Sequence, residues 1–218
     1  MVHELQNGQI ILGGGGHARV VRDTLRALGW LARVRGVVAL SMSEAERVAL
    51  GLPYLGADAV LESWAGTGIE LINAVGSVGA TIRRRELYER CRGMGFGFAT
   101  LIHPSAWLAG DVEPGAGSQL MAKALVQSGV AVGENVLINS GAIVEHDCRL
   151  GAHVHVASGA VLCGGVCVGE GAHVGAGAVV RQGIGIGAGA VIGAGAVVVR
   201  NVRDGAVVMG CPAGERVR

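Results

Sequence analysis

"VGENVLINSGAIVEHDCRLGAHVHVASGAVLCGGVCV" (residues 132–168) carries an aliphatic residue at every sixth position: Val132, Ile138, Val144, Leu150, Val156, Leu162 and Val168. A second column, four residues after the first, is small and apolar: Val136, Ala142, Cys148, Val154, Ala160 and Val166. An ordinary sandwich would instead show a period of two broken by irregular turns. Followed outward, the first column runs without an insertion from Ile102 to Val198, and 16 of its 17 positions are aliphatic, Pro114 being the exception. The second runs from Ala106 to Val202 with Ser118 as its one polar member. Together 32 of 34 positions are hydrophobic against 50% for the chain, so composition alone does not produce the columns. A hexapeptide repeat of this kind marks a parallel β-helix. Each hexad supplies one short strand and one turn, and three hexads close a triangular coil. The first column fills the interior, the second sits at the crowded corners, and glycine recurs where the turns need positive φ. Seventeen hexads make between five and six coils, a prism on the order of 25 Å tall at about 4.8 Å per coil.

The composition agrees. The 218 residues hold 39 glycines and only 3% aromatics, so the core is built from Val, Ile, Leu and Ala. Half the residues are hydrophobic, which excludes disorder, and four prolines without a Gly-X-Y period exclude collagen. A net charge of +1 gives no basis for binding nucleic acid or a membrane surface. The uncharged run "GIGIGAGAVIGAGAVVV" (183–199) approaches the length of a membrane span, but it lies inside the repeat, so no membrane insertion is expected. No secretory signal is read at the N-terminus. Five cysteines (91, 148, 163, 167, 211) fit reduced thiols and a cytoplasmic location.

Before residue 102 the pattern is β-α-β-α. "QIIL" (9–12) reads as a strand, Ala18 to Leu28 as a helix ended by Gly29, 34–40 as a strand, 43–50 as a helix, 69–76 as a strand, 78–92 as a charged helix and 96–102 as a strand. A small parallel sheet flanked by helices follows, and Arg83, Arg84 and Arg85 read as a solvated helix face. The expected organisation is a Rossmann-like α/β domain at 1–101, a β-helix at 102–203 and a C-terminal tail at 204–218.

Two clusters carry chemistry. "GGGGHA" (13–18) follows a strand and opens a helix, a placement that lets backbone N–H groups approach a phosphate. NAD is disfavoured, because the second strand ends Ala39-Leu40-Ser41 with no acidic residue for a ribose; a tight structural turn is the alternative. In the repeat, His146 follows inward-facing Val144 and faces out of the prism between Glu145 and Asp147. An imidazole there can accept a proton from an attacking amine or hydroxyl, and a flanking carboxylate can fix its tautomer; a plain surface histidine is the competing reading. His155 and His173 point outward one coil apart, a ladder that imidazole chemistry would allow to bind metal, but no third histidine shares their column and no metal is expected. Cys163 and Cys167 read as wall thiols. Asn139 faces outward near the His146 coil, able to hydrogen-bond an acceptor or to serve the fold.

The chain resembles the NeuD/PglD group of sugar O- and N-acetyltransferases. The marks are "LGGGGHA" (12–18), "LIHPSA" (101–106), "NSGAIVEHDCRLGAHVHVASGA" (139–160) and "MGCPA" (209–213). The resemblance implies a left-handed β-helix, a homotrimer with sites between neighbouring prisms, acetyl-CoA as donor and a nucleotide-linked amino sugar as acceptor. It implies that His146 is the general base with Asp147 as its partner. It further implies that His155, with the main chain of Ala176 and Ala194, contacts acetyl-CoA, and that Gly15, Gly16, His17 and Gly76 hold the acceptor. Uridine-sugar members can carry an Asp pair where this chain has Ala39-Leu40, a departure that argues against uridine and leaves guanine and thymine open as bases. The expected reaction is direct acetyl transfer to the amino group of a 4-amino-deoxysugar. The alternative is O-acetylation of sialic acid or another sugar hydroxyl, and a scaffold without turnover is a third reading.

Overall fold

The computed structural model describes residues 8–215. In the N-terminal half, β1 (Gln9–Leu12), α1 (Gly16–Ala27), β2 (Val34–Val38), α2 (Glu44–Leu50), β3 (Tyr54–Gly56), β4 (Glu70–Asn73), α3 (Ile82–Gly93) and β5 (Gly97–Phe98) follow in order. The strands form a parallel sheet in the order β3-β2-β1-β4-β5. The chain leaves β1 in one direction for β2 and β3 and returns on its other side for β4. A crevice therefore opens at the carboxyl ends of β1 and β4, where open α/β sheets bind ligands. Helix α2 begins at a capping box, in which Ser43 Oγ accepts from the Glu46 N–H and the Ser43 N–H donates to Glu46 Oε2. Sequence patterning did not foresee β3 or the 3-10 turns at Asp58–Trp64. It also ran two strands together, since "FGFATLI" divides into β5 of this sheet and Leu101–Ile102, the first rung of the coil.

From Leu101 the chain winds into three parallel sheets of two-residue strands. On one face Leu101, Gln119, Leu137, His155, His173 and Val191 pair in succession, each 18 residues from the last. A second face stacks Trp107, Leu125, Ile143, Val161, Val179 and Val197. The third stacks Ala131, Arg149, Cys167 and Gly185. The first column is buried from Leu120 to Val198 and packs with the second column into one core.

The repeat ends sooner than its columns suggest. Val202, read as a corner residue, bridges Ile186 only 16 residues away, and Val207 pairs with Val191 at the same shortened interval. Asn201 Oδ1 accepts the Gly185 N–H and so replaces the missing rung. The stack also continues past residue 203: Val207–Met209 extends the first face, and Gly214–Glu215 folds back antiparallel upon it.

The α/β half lies across that first face. Gln119 Nε2 donates to the Asn73 carbonyl at 2.8 Å, Thr81 Oγ1 to the Gly171 carbonyl at 2.7 Å, and Tyr88 OH to Glu134 Oε2 at 2.8 Å. Arg84 corrects the expectation of a solvated arginine run, for it is 1% exposed. Helical spacing places it with Leu87, Tyr88 and Cys91 on the face of α3 that packs inward. Its Nη1 donates to the carbonyls of Asn73 and Val75, and burial lowers its pKa to about 9. Arg83 and Arg85 remain towards solvent.

Candidate active site

His146 and Asp147 occupy the two turn positions after the strand Ile143–Val144. Asp147 adopts φ 60, at a turn position where most hexads have glycine at φ 63 to 75. A non-glycine residue there costs roughly 1 kcal/mol, least for Asn and Asp. In that turn the carboxylate Oδ2 lies 2.8 Å from His146 Nδ1. A carboxylate only accepts, so Nδ1 carries the proton and Nε2 presents its lone pair outward. Both side chains are more than half exposed in the single chain. The pair can accept a proton at Nε2 and hold the resulting imidazolium against the carboxylate.

The glycine loop closes the crevice of the α/β sheet. Gly13–Gly16 follow β1, Gly76 lies beyond the end of β4, and the place of a Gly76 Cβ is 3.4 Å from His17 Cβ. His17 is part-buried and turns towards the coil, with Nε2 2.9 Å from Gln119 Oε1. Because the Gln119 amide nitrogen donates to Asn73, its oxygen is the acceptor, and His17 is protonated on Nε2. Burial, then Arg84, lowers the His17 pKa to about 4. Beside the loop, a cavity of about 650 Å³ is lined by Gly13, Ala39, Leu40, Ser41, Arg83 and Glu86, among others.

His155 points out of the prism as its phase requires, but the α/β half covers it. It is 4% exposed, with Nδ1 2.6 Å from Ser77 Oγ and Nε2 3.4 Å from Asn139 Nδ2. The expectation of a coenzyme contact therefore meets no open ring in a single chain. Burial, then His173, lowers its pKa to about 3, and the two rings meet edge-on at 4.8 Å. Among the described residues no group of three His, Cys, Asp or Glu side chains could hold a metal. Ala176 and Ala194 are exposed and stacked, with the Gly195 N–H donating to the Ala176 carbonyl. They stand on the corner before the Val179 strand, whereas His146 stands on the corner after the Ile143 strand, so the two groups flank opposite edges of one face.

Comparison with known proteins settles the family. The model described as the PglD N-terminal domain matches residues 10–91, and that of the bacterial transferase hexapeptide (six repeats) matches 129–164. A histidine-to-asparagine variant of perosamine N-acetyltransferase from Caulobacter crescentus, solved with CoA and GDP-perosamine, is 38% identical. It superposes with a TM-score of 0.88 over 97% of this chain and 98% of its own. The acetyltransferase domain of PglB from Neisseria gonorrhoeae, also solved with acetyl coenzyme A, is 35% identical at a TM-score of 0.84, over 96% of this chain and 100% of its own. The chain belongs to the NeuD/PglD family of sugar acetyltransferases. WeeI from Acinetobacter baumannii, 23% identical over 96% of this chain and 99% of its own, shares the fold at a TM-score of 0.81. No curated protein matches the chain in sequence.

As a NeuD/PglD acyltransferase, the chain joins a Rossmann-like α/β unit to a left-handed parallel β-helix. Of the residues singled out in the sequence, the structure brings together His146 with Asp147, Asn139 with His155, and the Gly15–His17 loop with Gly76. The last two groups meet through Ser77, next to Gly76, whose Oγ lies 2.6 Å from His155 Nδ1, whereas His146 and Asp147 stand apart on their own corner. Sequence reasoning missed the polar seam between the halves, where Asn73 Nδ2 donates to Asn135 Oδ1 at 3.2 Å and Asn135 Nδ2 meets His153 Nδ1 at 3.0 Å. The available signal was the glycine turn column, in which Asn135 (φ 53) and His153 (φ 62) are exceptions as Asp147 is.

Proposed function

We propose that this protein transfers the acetyl group of acetyl-CoA to the amino group of a nucleotide-linked 4-amino-deoxysugar. The observation that carries the reading is the His146–Asp147 pair, with its proton fixed on Nδ1 and Nε2 free. His146 Nε2 removes a proton from the sugar amine as its nitrogen attacks the thioester carbonyl. The tetrahedral oxyanion collapses, the carbon–sulfur bond breaks, and CoA leaves as the thiol once the proton is returned. Backbone N–H groups of the coil wall are suited to hold the oxyanion. Transfer is direct, with no acyl-enzyme. Gly15, Gly16, His17 and Gly76 form the acceptor end in the α/β domain (residues 1–101), whose adjoining cavity takes the nucleoside. Asn139 serves the acceptor from the acetyltransferase domain (102–203). Guanine is the preferred base: the relative from Caulobacter crescentus was solved with GDP-perosamine, and Ala39-Leu40 offer no carboxylate pair.

A homotrimer completes the site. The outward row Trp107, Leu125, Ile143, Val161, Val179 and Val197 is wholly apolar, and Trp107 is 63% exposed in the single chain. The corners with His146 and with Ala176 and Ala194 flank this face on opposite edges. Threefold packing of the face sets one copy's His146 against the next copy's Ala176 and Ala194, with acetyl-CoA in the groove between them. Both co-substrates and the five free thiols fit a cytoplasmic enzyme. No helix among the described residues is long and apolar enough to cross a membrane.

The test is CoA release with acetyl-CoA and a panel of acceptors: GDP- and dTDP-linked 4-amino sugars, their 4-hydroxy counterparts and sialic acid. Turnover confined to nucleotide-linked amino sugars is expected. Turnover only on hydroxyl acceptors would replace this reading with O-acetylation, and inertness across the panel would favour a scaffold.

A further inference from the structure

Gly164 follows His146 by one full coil and stands at the same corner, where the Gly165 N–H donates to the His146 carbonyl at 2.8 Å. Nothing in its own backbone calls for glycine, since it is not among the residues with positive φ. Nor does a neighbouring main chain crowd it. In Gly151, Gly169 and Gly175 an added Cβ would strike the backbone of the next coil at 2.5 to 2.8 Å, and those glycines serve the stacking itself. At Gly164 the three nearest atoms all belong to the imidazole of His146: Cε1 and Nε2 at 2.6 Å, Cδ2 at 3.2 Å. Elsewhere in the same corner column the chain carries Ser128, Gln182 and Arg200, so the corner accepts a side chain on other coils. Asp147 is placed likewise, with its Oδ1 2.6 Å from where a Cβ on Gly129 of the preceding coil would stand.

From this we infer that Gly164 is a positioning residue for the acetyl transfer, its bare Cα being the seat on which the His146 ring rests while Nδ1 is bonded to Asp147. The inference rests on the proposed role of His146. A methyl group at Gly164 needs about 3.5–4.0 Å from ring carbons, so the ring moves by roughly 1 Å, and a misplacement of that size costs about 10²-fold in rate. Gly110, in the same column with nothing within 4 Å of its Cβ position, is the matched control.

The experiment is a double-mutant cycle of Gly164→Ala and His146→Ala, with Gly110→Ala alongside, reading kcat, KM for both substrates, CoA affinity and melting temperature. Gly164→Ala is expected to lower kcat about 10²-fold with little change in KM or CoA affinity. In the His146→Ala background it is expected to change neither the residual rate nor the melting temperature, because the ring it would displace is gone. Gly110→Ala is expected to behave as wild type. Wild-type kcat in Gly164→Ala overturns the inference, as does an equal loss in both backgrounds. Should Gly164→Ala fail to fold, a double variant that melts with its His146→Ala parent upholds the seat, and one that also fails overturns it. Full turnover in His146→Ala alone would instead overturn the general-base reading.

Discussion

At the scale of single residues, Asp147 bears a conformational cost at the position from which its carboxylate reaches His146. Its turn position is mostly glycine elsewhere in the coil, and its φ of 60 belongs to the left-handed region. Asp147→Gly is therefore expected to melt at or above the wild-type temperature while kcat falls by about 10²-fold, within the range for disabling a base and its orienting group. A variant that loses stability but keeps its rate would make Asp147 a structural turn residue. The histidine and its carboxylate neighbours were legible in "VEHDC", since phase alone turned His146 outward. What phase could not supply was the choice between Glu145 and Asp147, which the 2.8 Å contact makes. The interruptions of the glycine column at Lys123, Asn135, Asp147 and His153 are visible in the sequence, and three of the four mark polar contacts that matter.

At the scale of elements, the seam between α3, the glycine loop and the first face of the coil is polar, buried and sensitive to acid. Burial, assisted by Arg84, lowers His17 to about 4, and burial, assisted by His173, lowers His155 to about 3. Each ring is neutral in the folded chain at pH values where it is protonated in the unfolded one. The stability they support is present in full above about pH 6.5 and is lost as pH falls towards those lowered values, by up to about 1.4 kcal/mol per pH unit for each histidine. The melting temperature is expected to fall between pH 7 and 5, before most carboxylates titrate, and His155→Gln to flatten that fall. A wild-type curve level over the interval would contradict the account of the seam. Helical spacing alone carried the clue to Arg84, which shares its face with Tyr88 and Cys91; the sequence reading grouped it instead with its charged neighbours. The shortened last coil was hidden for a related reason, because Val202 satisfies the second column by composition while pairing as a first-column residue.

At the scale of the whole molecule, the hexapeptide columns made the prism readable almost residue by residue, whereas the proposed trimer leaves no periodic trace beyond the apolar row from Trp107 to Val197. Ile143→Glu places a charge in the middle of that row. It is expected to yield monomers by light scattering and to abolish turnover while His146 and Asp147 stay in place; a fully active monomer would show that one prism suffices. Catalysis in this chain turns on proton removal by His146 from an amine brought to the wall of the coil. Its most direct test is the rate of CoA release from acetyl-CoA and GDP-perosamine by wild type and His146→Ala under saturating substrate. The account predicts turnover in the wild type and a loss of about 10²–10⁴-fold in the variant; equal rates in the two proteins would contradict it.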